Sequence, residues 1–152
     1  MDVLPSLNLP LAPLRFSEKN GEKFVWDVVR QKHVKLEPEE WVRQQMIHYL
    51  LSHKSYPLGL MAVEKSLKVN GLSKRTDIVI HDQQGQPKMI IELKAPEVPL
   101  DQKVFMQITA YNLSLQVDYL LISNGLEHYC FHLNKEKKKM ESLRQIPDYN
   151  QL

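Results

Sequence analysis

The chain has 152 residues and a formal net charge of +2 at neutral pH, enough to bury one core and too little charge to signal nucleic acid through a global basic field. Its single cysteine, Cys130, excludes an internal disulfide and fits a reducing compartment. No apolar run approaches the ~20 residues that span a bilayer, and the stretch from Met1 to Phe16, with prolines at 5, 10 and 13 and no basic start, is a poor signal peptide. The expectation is a cytoplasmic protein with no membrane partner.

In chain order, residues 1–20 read as an irregular, proline-punctuated arm. Phe24 to Val29 is rich in strand formers and predicts a short strand. Pro38 opens a helix, because proline is favoured in the first turn and Glu39 and Glu40 place negative charge at the positive end of the dipole. Val42, Met46, Tyr49 and Leu50 recur at helical spacing, and the helix should fade near His53. Three strands are predicted at about 60–68, 75–81 and 88–94, with turns at Asn70-Gly71 and over 84–87; Pro96 and Pro99 stop the third. A second helix runs from Asp101 to about Gln116. Strands at about 118–123 and 127–133 follow, joined by Asn124-Gly125, a strong hairpin signal. The cluster Lys135, Lys137, Lys138 and Lys139 reads as a solvated turn or tail, and 135–152 is expected to be a basic C-terminal tail. One domain over 21–134 is therefore expected. Its order, α-β-β-β-α-β-β, implies an α/β fold with a mixed sheet and helices packed against it.

Side chains alternate along a strand, so Glu92 and Lys94 share one face while Ile91 and Leu93 share the other. If the preceding turn is centred between Gln84 and Gly85, Asp77 lies opposite Glu92, with Cβ atoms roughly 5 Å apart. A one-residue slip would separate them. Two carboxylates this close repel unless something positive lies between them. Mg²⁺ suits, being a hard cation held by one or two carboxylates with waters and phosphate. Lys94 would orient or deprotonate an attacking water, or stabilise developing charge. On the second helix, Lys103, Gln107 and Tyr111 lie on one polar stripe, beside an apolar stripe of Val104, Ile108 and Leu115.

Asp77 followed by Glu92-Leu93-Lys94 resembles the PD-(D/E)xK nuclease pattern, and Gln107-Ile108-Thr109-Ala110-Tyr111 resembles the Gln-x-x-x-Tyr motif that follows that site in restriction and RecB-like nucleases. With Pro38 to Gln44, Arg75-Thr76-Asp77 and Glu92 to Pro96, residues 23–133 resemble the N-terminal domain of type I restriction endonuclease R subunits, in a small stand-alone form. The position before Asp77 is Thr76 where the pattern's name has proline. The resemblance implies a restriction-endonuclease-like fold and a Mg²⁺-dependent enzyme that cuts DNA, Mn²⁺ being able to substitute. Asp77, Glu92 and Lys94 would be catalytic, with Asp77 and Glu92 on the metal, helped by the Leu93 carbonyl. Gln107 and Tyr111 would position the site or contact DNA. A further acid on the first helix is implied, with Glu40 the candidate metal ligand, Glu39 nearly as good, and Glu64 an outside alternative. Besides DNA, a second copy of the chain or a restriction-system protein is an expected partner. There is no Gly-x-x-x-x-Gly-Lys-Ser/Thr phosphate loop, so ATP is not.

A second reading keeps the fold as a nucleic-acid-binding or partner-binding module with weak or absent turnover. Without the resemblance, Asp77, Glu92 and Lys94 would read as strand-edge charges in a salt bridge. His128, Cys130 and His132 align on one strand face, but only three zinc-type ligands are visible and the spacing suits no usual zinc knuckle, so the triplet reads as structural.

Overall fold

A computed structural model describes residues 4–69 and 71–152. Among them are nine strands and two α-helices. Strands β1 (Phe16–Lys19), β2 (Glu22–Asp27) and β3 (Lys32–Lys35) form a small antiparallel sheet. Helix α1 (Pro38–His53) follows. A second sheet has the order β4 (Met61–Val69), β5 (Leu72–His81), β6 (Pro87–Leu93), β7 (Tyr119–Ser123), β8 (His128–Asn134), β9 (Lys139–Leu143). Helix α2 (Gln102–Leu115) connects β6 to β7, the one parallel pair in this sheet. Parallel neighbours need a crossover of that length, whereas the antiparallel pairs need only turns.

The sheet carries a core on each face. Val42, Met46, Ile47 and Leu50 of α1 pack on Ile78, Ile80, Met89, Ile91, Leu93 and Leu121. On the other face, Leu115 with Val104, Ile108 and Tyr111 of α2 packs on Ile90, Leu120 and Ile122. Period-2 alternation along β6 and β7 thus meets a helical stripe on each side, giving three layers, α/β/α. Asp101 caps α2 by accepting from the Val104 amide at 2.9 Å, and Gln116 closes it in a left-handed conformation.

Three expectations are revised. The single strand anticipated near Phe24 is the middle strand of a three-stranded sheet, and the last residues of the expected arm form β1. Residues 4–15 are irregular yet held down. Trp41 Nε1 donates to the Pro5 carbonyl at 2.9 Å, the Asn8 amide donates to Gly125 at 2.8 Å, and Leu7 and Leu9 pack on the α1-side core. The segment expected as a basic tail contributes β9, with Lys135, Lys137 and Lys138 in the β8–β9 turn and Lys139 opening β9, and its end is anchored by buried Ile146. Asn70, half of the predicted first turn, lies outside the described residues; Gly71 has φ +77°.

The C-terminal segment is tied to the end of α1 through Tyr56, whose buried side chain donates to the Pro147 carbonyl at 2.9 Å. Tyr56→Phe leaves that carbonyl without its partner and should lower stability by about 1–3 kcal/mol. In a urea titration the midpoint should fall with the slope unchanged.

Candidate active site

The β5–β6 ladder pairs Ile78 with Ile91, Val79 with Ile90 and Ile80 with Met89. One step further in this register places Asp77 opposite Glu92. The route to the register differs from the simple hairpin. His81 pairs with Pro87, so the turn is centred one half-step earlier, and a bulge next to Ile80 takes up Lys88 as the extra residue. The two displacements offset each other.

Past Ile78 the strands separate, and the Asp77 side chain fills the gap, its Oδ2 accepting from the Leu93 amide at 2.8 Å. Its Oδ1 accepts from Arg43 Nη2 at 3.1 Å. Arg43 is buried on α1, and its Nη1 also reaches Glu40 at 2.8 Å. Glu92 is buried, and one of its oxygens accepts from Lys74 Nζ. Burial pushes the Glu92 carboxyl above its ordinary value; Lys74 opposes this, Asp77 adds to it and Lys94 opposes it. Among the described residues, none of the ion pairs around the site uses Lys94. It is nonetheless near enough to act electrostatically on both Glu92 and Glu39.

Of the helix acids, the one facing Asp77 is Glu39. Burial and the adjacent Asp77 raise its carboxyl, while Arg43 and Lys94 pull the other way. The expected ligand Glu40 is separated from Asp77 by the Arg43 guanidinium. Its two oxygens are taken by Arg30 at 2.7 Å, Arg43 at 2.8 Å and Gln44 at 3.0 Å. Glu40 is therefore a structural anion, for a reason the sequence hides: its neighbours Arg30 and Arg43 are brought in from a loop and the next helical turn. Among the described residues, no group of three or more His, Cys, Asp or Glu side chains gathers into a ready-made metal cage.

Glu64 joins the site through arginines. It lies between the pairs Val63↔Ile78 and Lys65↔Thr76, hence across from Asp77, and its backbone is left-handed at φ +52°. Its carboxylate reaches Arg75 at 3.0 Å, Arg30 at 3.5 Å and Arg43 at 3.6 Å. The hairpin changes faces here. Met61, Val63, Ile78 and Ile80 belong to the α1-side core, whereas Leu67 and Leu72, which strict alternation would put with them, belong to the α2-side core. The change delivers Lys74 to Glu92 and Tyr111. The Tyr111 hydroxyl donates to the Ser73 carbonyl at 2.6 Å, and Lys74 Nζ lies 5.2 Å from the Tyr111 ring centroid. Gln107 is exposed on the same helix. Sequence reasoning passed over Lys74 because it is an odd number of residues from Asp77. The one visible signal was its place beside Arg75-Thr76-Asp77.

The His128, Cys130, His132 triplet is accounted for structurally. His128 bonds to Ser123 and to the Asn8 carbonyl, Cys130 is buried with its thiol pushed up to about 12 by burial, and His132 stacks on Tyr119.

Residues 38–147 match the family described as type I restriction enzyme R protein N terminus (HSDR_N), and the chain belongs to that family. Two solved structures are similar at low identity. One is a DrdV–DNA complex, 16% identical with TM-score 0.47, the match covering 71% of this chain and 10% of that one. The other is a candidate nuclease of DUF820 from Anabaena variabilis, 9% identical with TM-score 0.47, covering 85% of this chain and 80% of that one. The chain thus spans a small part of the DrdV chain. Comparison with curated proteins gives no match. The sheet and its two helices are the α/β arrangement expected of a restriction-endonuclease-like domain, and no helix among the described residues is long and apolar enough to cross a membrane.

Two outcomes test the ion network. Arg43→Ala leaves Glu40 and Asp77 without their shared buried cation and should cost about 3–5 kcal/mol in chemical denaturation. Asp27, fully buried, tests pH linkage. Burial alone would raise its carboxyl, but hydrogen bonds from the Arg30 amide and guanidinium and the Val29 amide outweigh this and hold it below the ordinary value. Its stabilisation is complete above the unfolded carboxylate range and is lost as pH falls through the lower folded value. Wild type and Asp27→Asn should therefore differ most at neutral pH and converge under acid, as read by denaturation at a series of pH values.

Proposed function

We propose that this domain is a Mg²⁺-dependent nuclease that hydrolyses DNA phosphodiester bonds. The observation that carries the reading is the convergence of Asp77 and Glu92 at the end of the β5–β6 ladder, with Lys94 close enough to act on Glu92 and, among the described residues, outside the site's ion pairs. A scaffold gains nothing from gathering carboxylates, and perturbed carboxyls collect where chemistry is done.

The donor set fits a hard divalent cation. Asp77 and Glu92 supply anionic oxygens, and the Leu93 carbonyl lies next in the chain. Two carboxylates without a closed cage leave room for water and phosphate, as Mg²⁺ prefers. When bound, Mg²⁺ (or Mn²⁺ in its place) supplies Lewis-acid stabilisation of phosphate charge and a more acidic water.

The chain's own groups do the rest. Asp77 is held by the Leu93 amide and Arg43, which fixes its carboxylate against the strand end. Glu39, beside Asp77 and only part-buried, is the helix acid we assign to the metal's water shell. Lys94 is placed to orient the attacking water and stabilise charge building on the phosphate oxygens as the P–O bond breaks. Tyr111 fixes the β5 backbone through Ser73, and exposed Gln107 on the same helix offers a neutral donor and acceptor to the nucleic acid.

Supercoiled plasmid and labelled single-stranded DNA, each with Mg²⁺ or Mn²⁺, test the proposal. Wild type should cut, chelation should stop it, and Asp77→Ala and Lys94→Ala should each lower the rate by about 10²-fold or more. A wild type that binds DNA but never cuts, with both variants binding equally, would replace the enzyme with a binding module.

A further inference from the structure

Lys74 lies outside every motif that points to the site, yet it makes the shortest polar contact there. Its Nζ donates to Glu92 Oε1, the oxygen of a carboxylate assigned above to the metal. It arrives by way of the face change at Glu64 and Asp77, which costs a left-handed glutamate inside a strand. Such an outlier is strained and persists only where the surroundings enforce it. Tyr111 then holds Lys74 from two sides, fixing the preceding carbonyl with its hydroxyl and offering its ring face to the ammonium. The side chain is 21% exposed, so the pair is within reach of solvent and of a substrate.

An ammonium on a four-carbon stem is a mobile point charge with three donors. It cannot keep the same carboxylate oxygen as a divalent cation without like-charge repulsion. Released from Glu92, it remains leashed beside Asp77, Glu92 and Lys94, where a phosphate would be the nearest uncompensated anion. We propose that Lys74 is an exchangeable counter-ion. It neutralises Glu92 in the metal-free protein, yields that carboxylate to the divalent cation, and then contacts a backbone phosphate of the bound DNA. This rests on the nuclease reading and adds a second lysine to it. The function of Tyr111 follows, as the residue that keeps Lys74 within range of both partners.

The test is calorimetric titration with Mn²⁺ of wild type, Lys74→Met, Lys74→Arg and Glu92→Gln, with unfolding curves for each. It is followed by binding of a labelled DNA duplex in Ca²⁺ over a range of salt. Lys74→Met keeps the stem and removes the competitor, so it should bind Mn²⁺ about fivefold more tightly than wild type. It should also bind DNA more weakly, with a log–log salt slope shallower by about one. Lys74→Arg should keep the wild-type salt slope. A purely structural lysine gives the opposite sign, since its loss would loosen the site and weaken Mn²⁺. If wild type binds Mn²⁺, Glu92→Gln does not, and Lys74→Met binds no tighter than wild type, the exchange is overturned while the metal site stands. If wild type binds no Mn²⁺, both the exchange and the nuclease reading fall.

Discussion

Carboxylates that face each other across a strand pair at the end of a buried sheet must each find a cation or lose their charge. That constraint organises this molecule. Arg43 comes from α1 to meet Asp77, and Lys74 comes from the far half of β5 to meet Glu92. Arg43 does more than neutralise. With one guanidinium on Glu40 and Asp77 it ties the helix to β5, and Arg30 continues the chain of charge to Asp27 in the small sheet. The three-stranded sheet is thereby fastened close to the site through ions more than through a shared apolar core. Taking away one member of such a buried chain leaves its partners uncompensated, which costs more than the pair contributes when intact.

The second organising feature is geometric. A strand that alternated perfectly would show Lys74 and Asp77 to opposite faces of the sheet. The left-handed backbone of Glu64 and the separation of β5 from β6 beyond Ile78 interrupt the alternation where the acids stand. Below that line the β4–β5 hairpin serves the α1-side core, and above it the α2-side core. One interruption thus provides the gap that Asp77 fills by accepting from the Leu93 amide, and it brings α2, with Tyr111, into contact with the site.

The apolar layers supply the rigidity this requires. Ile78, Ile91 and Leu93 sit within one or two residues of the acids and are fully or almost fully buried, so the strand ends have little freedom to drift. The helices deliver different chemistry to the same place. The first two turns of α1 bring acids and an arginine, and the exposed stripe of α2 brings neutral and basic groups.

Much of this was legible in the residues themselves. The period-2 and period-3.6 patterns, Pro38, Asp101 and Asn124-Gly125 located both helices and five of the six strands after α1 to within a few residues, because those signals are local. The register of β5 on β6, whose last pair is Ile78 with Ile91, was also legible, though by a path in which a bulge at Lys88 cancelled a shift of the turn. What local pattern could not carry was anything that depends on separate elements meeting. Glu39 and Glu40 are equivalent in sequence, and only the arrival of Arg30 and Arg43 decides that Glu40 is neutralised while Glu39 faces Asp77. Lys74 reads as a solvent charge until the hairpin twists past Glu64. Chain pattern sets which face a residue prefers within one element, while long-range packing sets which charges share a volume, and a site of paired acids and bases is a matter of shared volume.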